Sequence, residues 1–146
     1  MSSRAPRPTI LLDLFVAFQR SAQAVDRAFA EHQLDVPDFA ILSTIGVEGP
    51  ETATALARRL GMSQRTALFR VRRLEDAGLV VRERSENDRR EIRLSLSPAG
   101  EELRAASAPA FRSLITRIEE RLADPEAVRD AIRDLSTALE AELAKD

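Results

Sequence analysis

The chain has no cysteine, so disulfides, thiolate metal sites and cysteine redox switches are excluded. It has one histidine, His32, and a lone imidazole with no cysteine does not make a transition-metal centre. His32 reads instead as a helix C-terminal residue that suits the dipole. No long hydrophobic run occurs. The longest apolar stretches, 10–12 and 14–18, are interrupted by Asp13 and are too short to cross a bilayer. The first eight residues lack a signal-peptide core, so the expected location is the cytoplasm. Nucleotide-loop and nucleophile-elbow motifs are absent. The acidic pairs Glu101-Glu102 and Glu119-Glu120 are adjacent in sequence on expected helices and point to different faces, so they are not an acid/base dyad. Nothing points to an enzyme or to a bound cofactor.

What is present is one domain's worth of chain, 146 residues, 44% hydrophobic and 32% charged. The net charge of −2 conceals an uneven distribution. Residues 58–93 hold eleven arginines against six acids, while the segments before and after are acidic. Lys145 is the only lysine. A basic middle between acidic ends is the electrostatic footprint of a phosphate-facing surface.

Residues 1–8 read as a polar, mobile tail. Leu11, Phe15, Phe18, Ala22, Val25 and Phe29 recur at alternating spacings of four and three, which predicts one long helix over 9–32. Pro37 suits the first turn of a second helix reaching about Ile45, ended by 46–50. Thr52 caps a third helix, 53–60. Gly61 supplies a tight turn, Ser63 caps a fourth helix over 64–77, and Gly78 ends it. Residues 79–85 and 91–97 make a hairpin around Glu86-Asn87-Asp88, with Ile92, Leu94 and Leu96 on one face. Ser97-Pro98 and Asp124-Pro125 each start a further helix, and Pro109 should kink or interrupt the first of them. The expected fold is mainly α with a small β-hairpin. No repeat or linker divides it.

The segment 55–100 therefore runs helix, turn, helix, hairpin, which is the layout of a winged helix-turn-helix. Its steric conditions are met: Ala57 is small where two helices approach, Gly61 allows the turn, and Ala67 packs back ten residues on, with Val71 and Leu74 completing the inward face. An α-helix fits the DNA major groove. The Ser63 cap offers free N–H groups to a phosphate. Gln64 can pair with adenine and Arg65 with guanine.

Residues 56–100 resemble the DNA-binding core of the MarR family of bacterial transcription regulators. The likeness is carried by Leu56-Ala57-Arg-Arg-Leu60-Gly61-Met62-Ser63, by Leu74-Glu75-Asp-Ala-Gly78-Leu79-Val80, and most sharply by the run from Asp88 to Gly100. The order of the flanking helices also fits. The resemblance implies a single domain over 9–146, with a DNA-binding lobe at 36–100 and a dimerisation region built from 9–32 and 101–146. It implies a homodimer on double-stranded DNA, typically a repressor released by a small aromatic or phenolic effector. Ser63, Gln64, Arg65 and Thr66 would meet the major groove, followed along the helix by Leu68, Phe69, Arg70 and Arg73. Arg90 and Arg89 would be the wing contact, with Asp88 shaping the tip. The dimer also follows from the sequence, because two apolar terminal helices exceed what one small lobe can cover.

Leu68-Phe69-Arg70 departs from the family, which usually has a small hydroxyl residue, a polar residue and an apolar residue there. Two readings stay open. Leu68 and Phe69 contact thymine methyl groups, or they pack locally while the Arg70 stem snorkels. The alternative function, a winged-helix protein-interaction module, would use the same apolar pair for docking. Phe15, Phe18, Phe29, Phe39 and Phe111 read as core. The resemblance makes Phe15, Phe18, Phe39 and Phe111 candidates for an effector pocket.

Overall fold

A computed structural model describes residues 9–145; the expected N-terminal tail, 1–8, lies outside them. The described residues form six α-helices and one antiparallel hairpin. They fall into two compact units, one ending at Phe111 and the other beginning at Arg112. The boundary lies inside a helix and not at a linker.

In the first unit, α1 (Ile10–Ala28) starts at Thr9, whose hydroxyl accepts the Leu12 N–H. It is followed by a single 3-10 turn, Ala30–His32, and by Gln33 in the left-handed region at φ 53°. The expected 9–32 helix is therefore broken near Phe29. Helix α2 (Val36–Glu48) is capped by Asp35 and has Pro37 in its first turn. It runs through Gly46 to Gly49, beyond the expected end. Gly46 is tolerated because its missing Cβ makes room for the Arg104 side chain. Helices α3 (Ala53–Arg59) and α4 (Gln64–Asp76) begin at Thr52 and Ser63, as their cap chemistry predicts.

Strands β1 (Val80–Arg84) and β2 (Ile92–Leu96) pair from Val80↔Leu96 to Arg84↔Ile92. Glu51 adds an isolated bridge to Leu94, with N···O distances of 3.2 and 2.7 Å, and so ties the α2–α3 connection to the hairpin. Along β2 only Leu94 is fully buried; Ile92, expected on the core face, is exposed because it lies toward the wing tip. Helix α5 (Pro98–Glu119) is continuous through Pro109, so the expected interruption does not occur. The Ser97 hydroxyl accepts the Gly100 N–H and donates to the Gly78 carbonyl, joining the start of α5 to the end of α4.

Phe29, Ile41, Leu42, Leu56, Val71 and Leu94 form the centre of the first unit's core. Phe29, Phe39 and Phe111 stack as a trio, with ring centroids 4.6, 4.7 and 6.0 Å apart. Phe15 and Phe18 do not join them and are 57% and 60% exposed, contrary to their expected core role. On α1 only Val25 is buried, so the N-terminal half of its apolar stripe faces outward. In the second unit, α6 (Pro125–Leu143) is capped by Asp124, and Arg129 pairs with both Glu119 and Glu126. No described helix is long and apolar enough to cross a membrane.

Candidate nucleic-acid interface

Two glycine turns fix the position of α4. Gly61, at φ 62°, lets the chain leave α3, with the Met62 N–H bonded to the Ala57 carbonyl at 2.9 Å. Gly78, at φ 73°, does the same at the end of α4, with the Leu79 N–H on the Leu74 carbonyl at 2.8 Å. Between them Ala67, Val71 and Leu74 are buried, and Ala57 is buried where α3 meets α4. Ala57 and Ala67, ten residues apart, are both buried.

This packing turns the opposite face of α4 outward. Ser63, Gln64, Arg65 and Thr66 are all exposed. The Ser63 hydroxyl accepts the Thr66 N–H at 3.1 Å and lies 2.8 Å from the Thr66 hydroxyl. One orphan donor of the first turn is thereby satisfied, leaving the others available to an anion. Leu68 and Phe69 are 36% and 60% exposed. Phe69 thus points outward, while Leu68 is partly covered.

Arg70 behaves differently. Its guanidinium reaches back to α2, where Nη1 pairs with Asp35 and lies 3.2 Å from Asp38 Oδ1. Arg73 approaches the other Asp38 oxygen at 3.6 Å. Asp38 is only 5% exposed. Its burial, and secondly the charge of Asp35, raise its carboxyl above the usual aspartate range, although Arg70 and Arg73 pull it back. For Arg70, partial burial pulls the guanidinium pKa down. The hydrogen bonds and charges of Asp35 and Asp38 together outweigh that and raise it. Arg70 therefore joins the helix-turn-helix to α2, while Arg73 remains half-exposed. The signal for this in the sequence is the pair of acids at i and i+3 at the start of α2, opposite an arginine in a core register.

The wing carries a second set. Asp88 Oδ1 accepts the Arg90 N–H at 2.9 Å and the Asp88 carbonyl accepts the Glu91 N–H at 2.9 Å, which closes the tip. Arg89 and Arg90 project from that turn and are exposed. Arg82 is held to Glu75 of α4, whose hydrogen bonds raise its pKa, and Arg93 pairs with Glu91.

The arginines of 58–93 thus divide into two groups. Arg59, Arg70, Arg73, Arg82 and Arg93 have carboxylate partners. Arg58, Arg65, Arg72, Arg84, Arg89 and Arg90 have none among the described residues and are exposed. Arg58, Arg72 and Arg84 were not singled out by sequence, because charge counting does not separate paired from unpaired guanidinia.

The four phenylalanines considered for an effector pocket are not brought together. Phe39 and Phe111 belong to the core trio, while Phe15 and Phe18 lie together with Leu11 and Leu14 on the outer face of α1. Phe18 also borders a groove of about 470 Å³ that touches Val36, Ala40, Met62, Thr66 and Arg70, and none of the other three rings lines that groove.

Residues 34–92 match the model of the MarR family. Over 79 residues the chain is 29% identical to the HTH-type transcriptional regulator MgrA of Staphylococcus aureus, covering 54% of each chain. The chain therefore spans about half the length of the curated relatives it matches. In three dimensions it is similar to the M. tuberculosis transcriptional regulator MosR in complex with DNA. The TM-score is 0.83 and the identity 25%, over 92% of this chain and 98% of that one. It is also similar to the transcriptional repressor CouR bound to a 23-mer DNA duplex, with a TM-score of 0.75 and 25% identity over 90% and 92% of the two chains. The chain thus carries a segment that matches the MarR family at its centre, within a winged helix-turn-helix fold similar to that of solved transcriptional regulators.

Proposed function

We propose that the protein is a transcriptional regulator that binds double-stranded DNA as a homodimer, with α4 in the major groove and the β1–β2 wing against the flanking minor groove. The observation that carries this reading is the division of the arginines. Those facing α2, α4 or the wing strands are neutralised by carboxylates, while Arg65 and Arg72 on α4 and Arg89 and Arg90 at the wing tip are left for phosphates and bases. Ser63, Gln64, Arg65 and Thr66 make the first contacts, and Arg73 flanks them. Asp88 shapes the wing tip and does not touch DNA. Arg70 serves the lobe's internal packing.

The dimer reading is supported by apolar side chains left in water on α1 and on α6. Ile10, Leu11, Phe15 and Phe18 are exposed on the first helix, and Val128, Ile132 and Leu143 on the last. A two-fold pair would set its recognition helices about 34–36 Å apart on a pseudo-palindromic site. Repression follows the relative named as a repressor, and the groove beside Met62, Thr66 and Arg70 is of a size for a small apolar effector.

A shift assay at fixed salt on a duplex selected from random DNA tests the reading, together with sedimentation of the free protein. Arg65→Ala should relax base preference at one position per half-site by about 1–3 kcal/mol. A monomer in solution, or an Arg65→Ala variant with unchanged affinity and preference, contradicts it.

A further inference from the structure

The outward face of α4 has an apolar centre. Taking Ala67 as the reference and about 100° per residue, Val71 and Leu74 fall within about 40° of it. Phe69 lies at about 200°, nearly opposite that buried stripe, flanked by Arg65 at about 160° and Arg72 at about 140°. Leu68, at about 100°, lies on the far side of the two arginines from Phe69, at the edge of the same face. A groove of about 460 Å³ on this face is lined by Gln64, Arg65, Leu68, Phe69 and Arg72, and no carboxylate borders it. Along the helix axis the groove is therefore apolar in the middle and cationic at both ends, and the acid on this face, Asp76, lies beyond it at the end of α4.

A partner for such a surface must be anionic and must present an apolar group between its charges. The DNA major groove meets both conditions, and the one apolar group on its base edges is the thymine 5-methyl. Along the helix axis, Leu68 and Phe69 lie about 4.5–6 Å beyond Arg65, a distance of one or two base-pair steps at about 3.4 Å each.

We propose that Leu68 and Phe69 form an apolar reader that selects thymine, through its methyl group, within two base pairs of the guanine bound by Arg65. This inference rests on the DNA-binding reading and adds a base preference to it. It also gives the chain's departure from the MarR pattern a role. Where a small hydroxyl and a polar residue would meet the groove, two large apolar side chains do so. Arg70, next in sequence, is drawn off to Asp35 and Asp38.

The test starts from duplexes enriched by the full-length protein from random DNA. The thymine nearest the Arg65 guanine is replaced by deoxyuracil, which removes the methyl and leaves the pairing intact. Wild type should bind the uracil duplex about three- to fivefold more weakly per methyl removed. Phe69→Ala should bind the two duplexes nearly equally, and Leu68→Ala provides the same comparison should the first variant not fold. Equal binding of both duplexes by wild type overturns the inference while leaving DNA binding intact. So does an enriched half-site without thymine in that window. So does Phe69→Ala binding that keeps the full thymine preference, which would free the pair for a protein partner. Failure to enrich any duplex removes the DNA reading and this inference together.

Discussion

Arg70 Nη1 lies 3.2 Å from Asp38 Oδ1, a carboxylate at the start of α2 that is almost wholly buried. The contact fixes α4 against α2 through charge, at a position where the MarR family that this chain resembles usually has an apolar side chain. Removing the guanidinium would leave Asp38 buried with only the more distant Arg73. Arg70→Ala is expected to cost about 1–3 kcal/mol in urea unfolding. That is below the cost of breaking a fully buried pair, because Arg70 and Asp35 are partly solvated. The same substitution in an Asp38→Asn background should cost less, and an equal cost in both backgrounds would contradict the coupling.

The same carboxylate gives a pH dependence. Because the Asp38 pKa is raised on folding, the folded chain holds more protons than the unfolded one between the ordinary aspartate value and the raised one. Its contribution to stability is full below the ordinary value and declines as pH rises through the raised value. The stability difference between wild type and Asp38→Asn should therefore shift in favour of wild type as the pH is lowered from about 7 to about 4. Urea titrations at several pH values measure this, and a shift in the opposite sense would contradict it.

At the wing, Asp88 and Arg90 have separate tasks. Arg90→Ala should weaken binding to all duplexes alike and reduce the slope of log affinity against log salt by about 1. Asp88→Ala removes the acceptor for the Arg90 N–H and loosens the turn. It should lower affinity while leaving that slope nearly unchanged. Binding titrations at four or five salt concentrations distinguish the two.

Two glycines make a paired test of packing. A Cβ at Gly100 would strike the Leu79 carbonyl, which is held by the Ser97 N–H at 3.0 Å and cannot retreat. A Cβ at Gly46 would meet only the flexible Arg104 side chain. Gly100→Ala should destabilise by about 1–3 kcal/mol. Gly46→Ala should be far milder, since alanine's helix preference of about 1 kcal/mol offsets the crowding. Thermal unfolding that ranks them the other way would contradict the packing described.

The helix starts at Thr52, Ser63 and Asp124, the turns at Gly61 and Gly78 and the hairpin pairing were legible in the sequence, because each depends on chemistry within three or four residues. The inward face of α4 was legible for the same reason. What was hidden depends on contacts distant in sequence. Periodicity placed Phe15 and Phe18 on an apolar stripe but could not say whether anything covers it. Nothing local marks the Glu51–Leu94 bridge or the continuation of α2 through Gly46, since both depend on partners more than forty residues away. Charge counting found the basic segment but not that five of its eleven arginines are occupied internally.

The central claim is that the unpaired arginines of α4 and the wing face a duplex. The most direct measurement is the affinity of the wild-type protein for a selected duplex between about 50 and 200 mM salt. Counterion release from six or more phosphate contacts predicts a loss on the order of a thousandfold or more across that range. An affinity that changes by less than about tenfold, or no duplex binding even at the lowest salt, would contradict it.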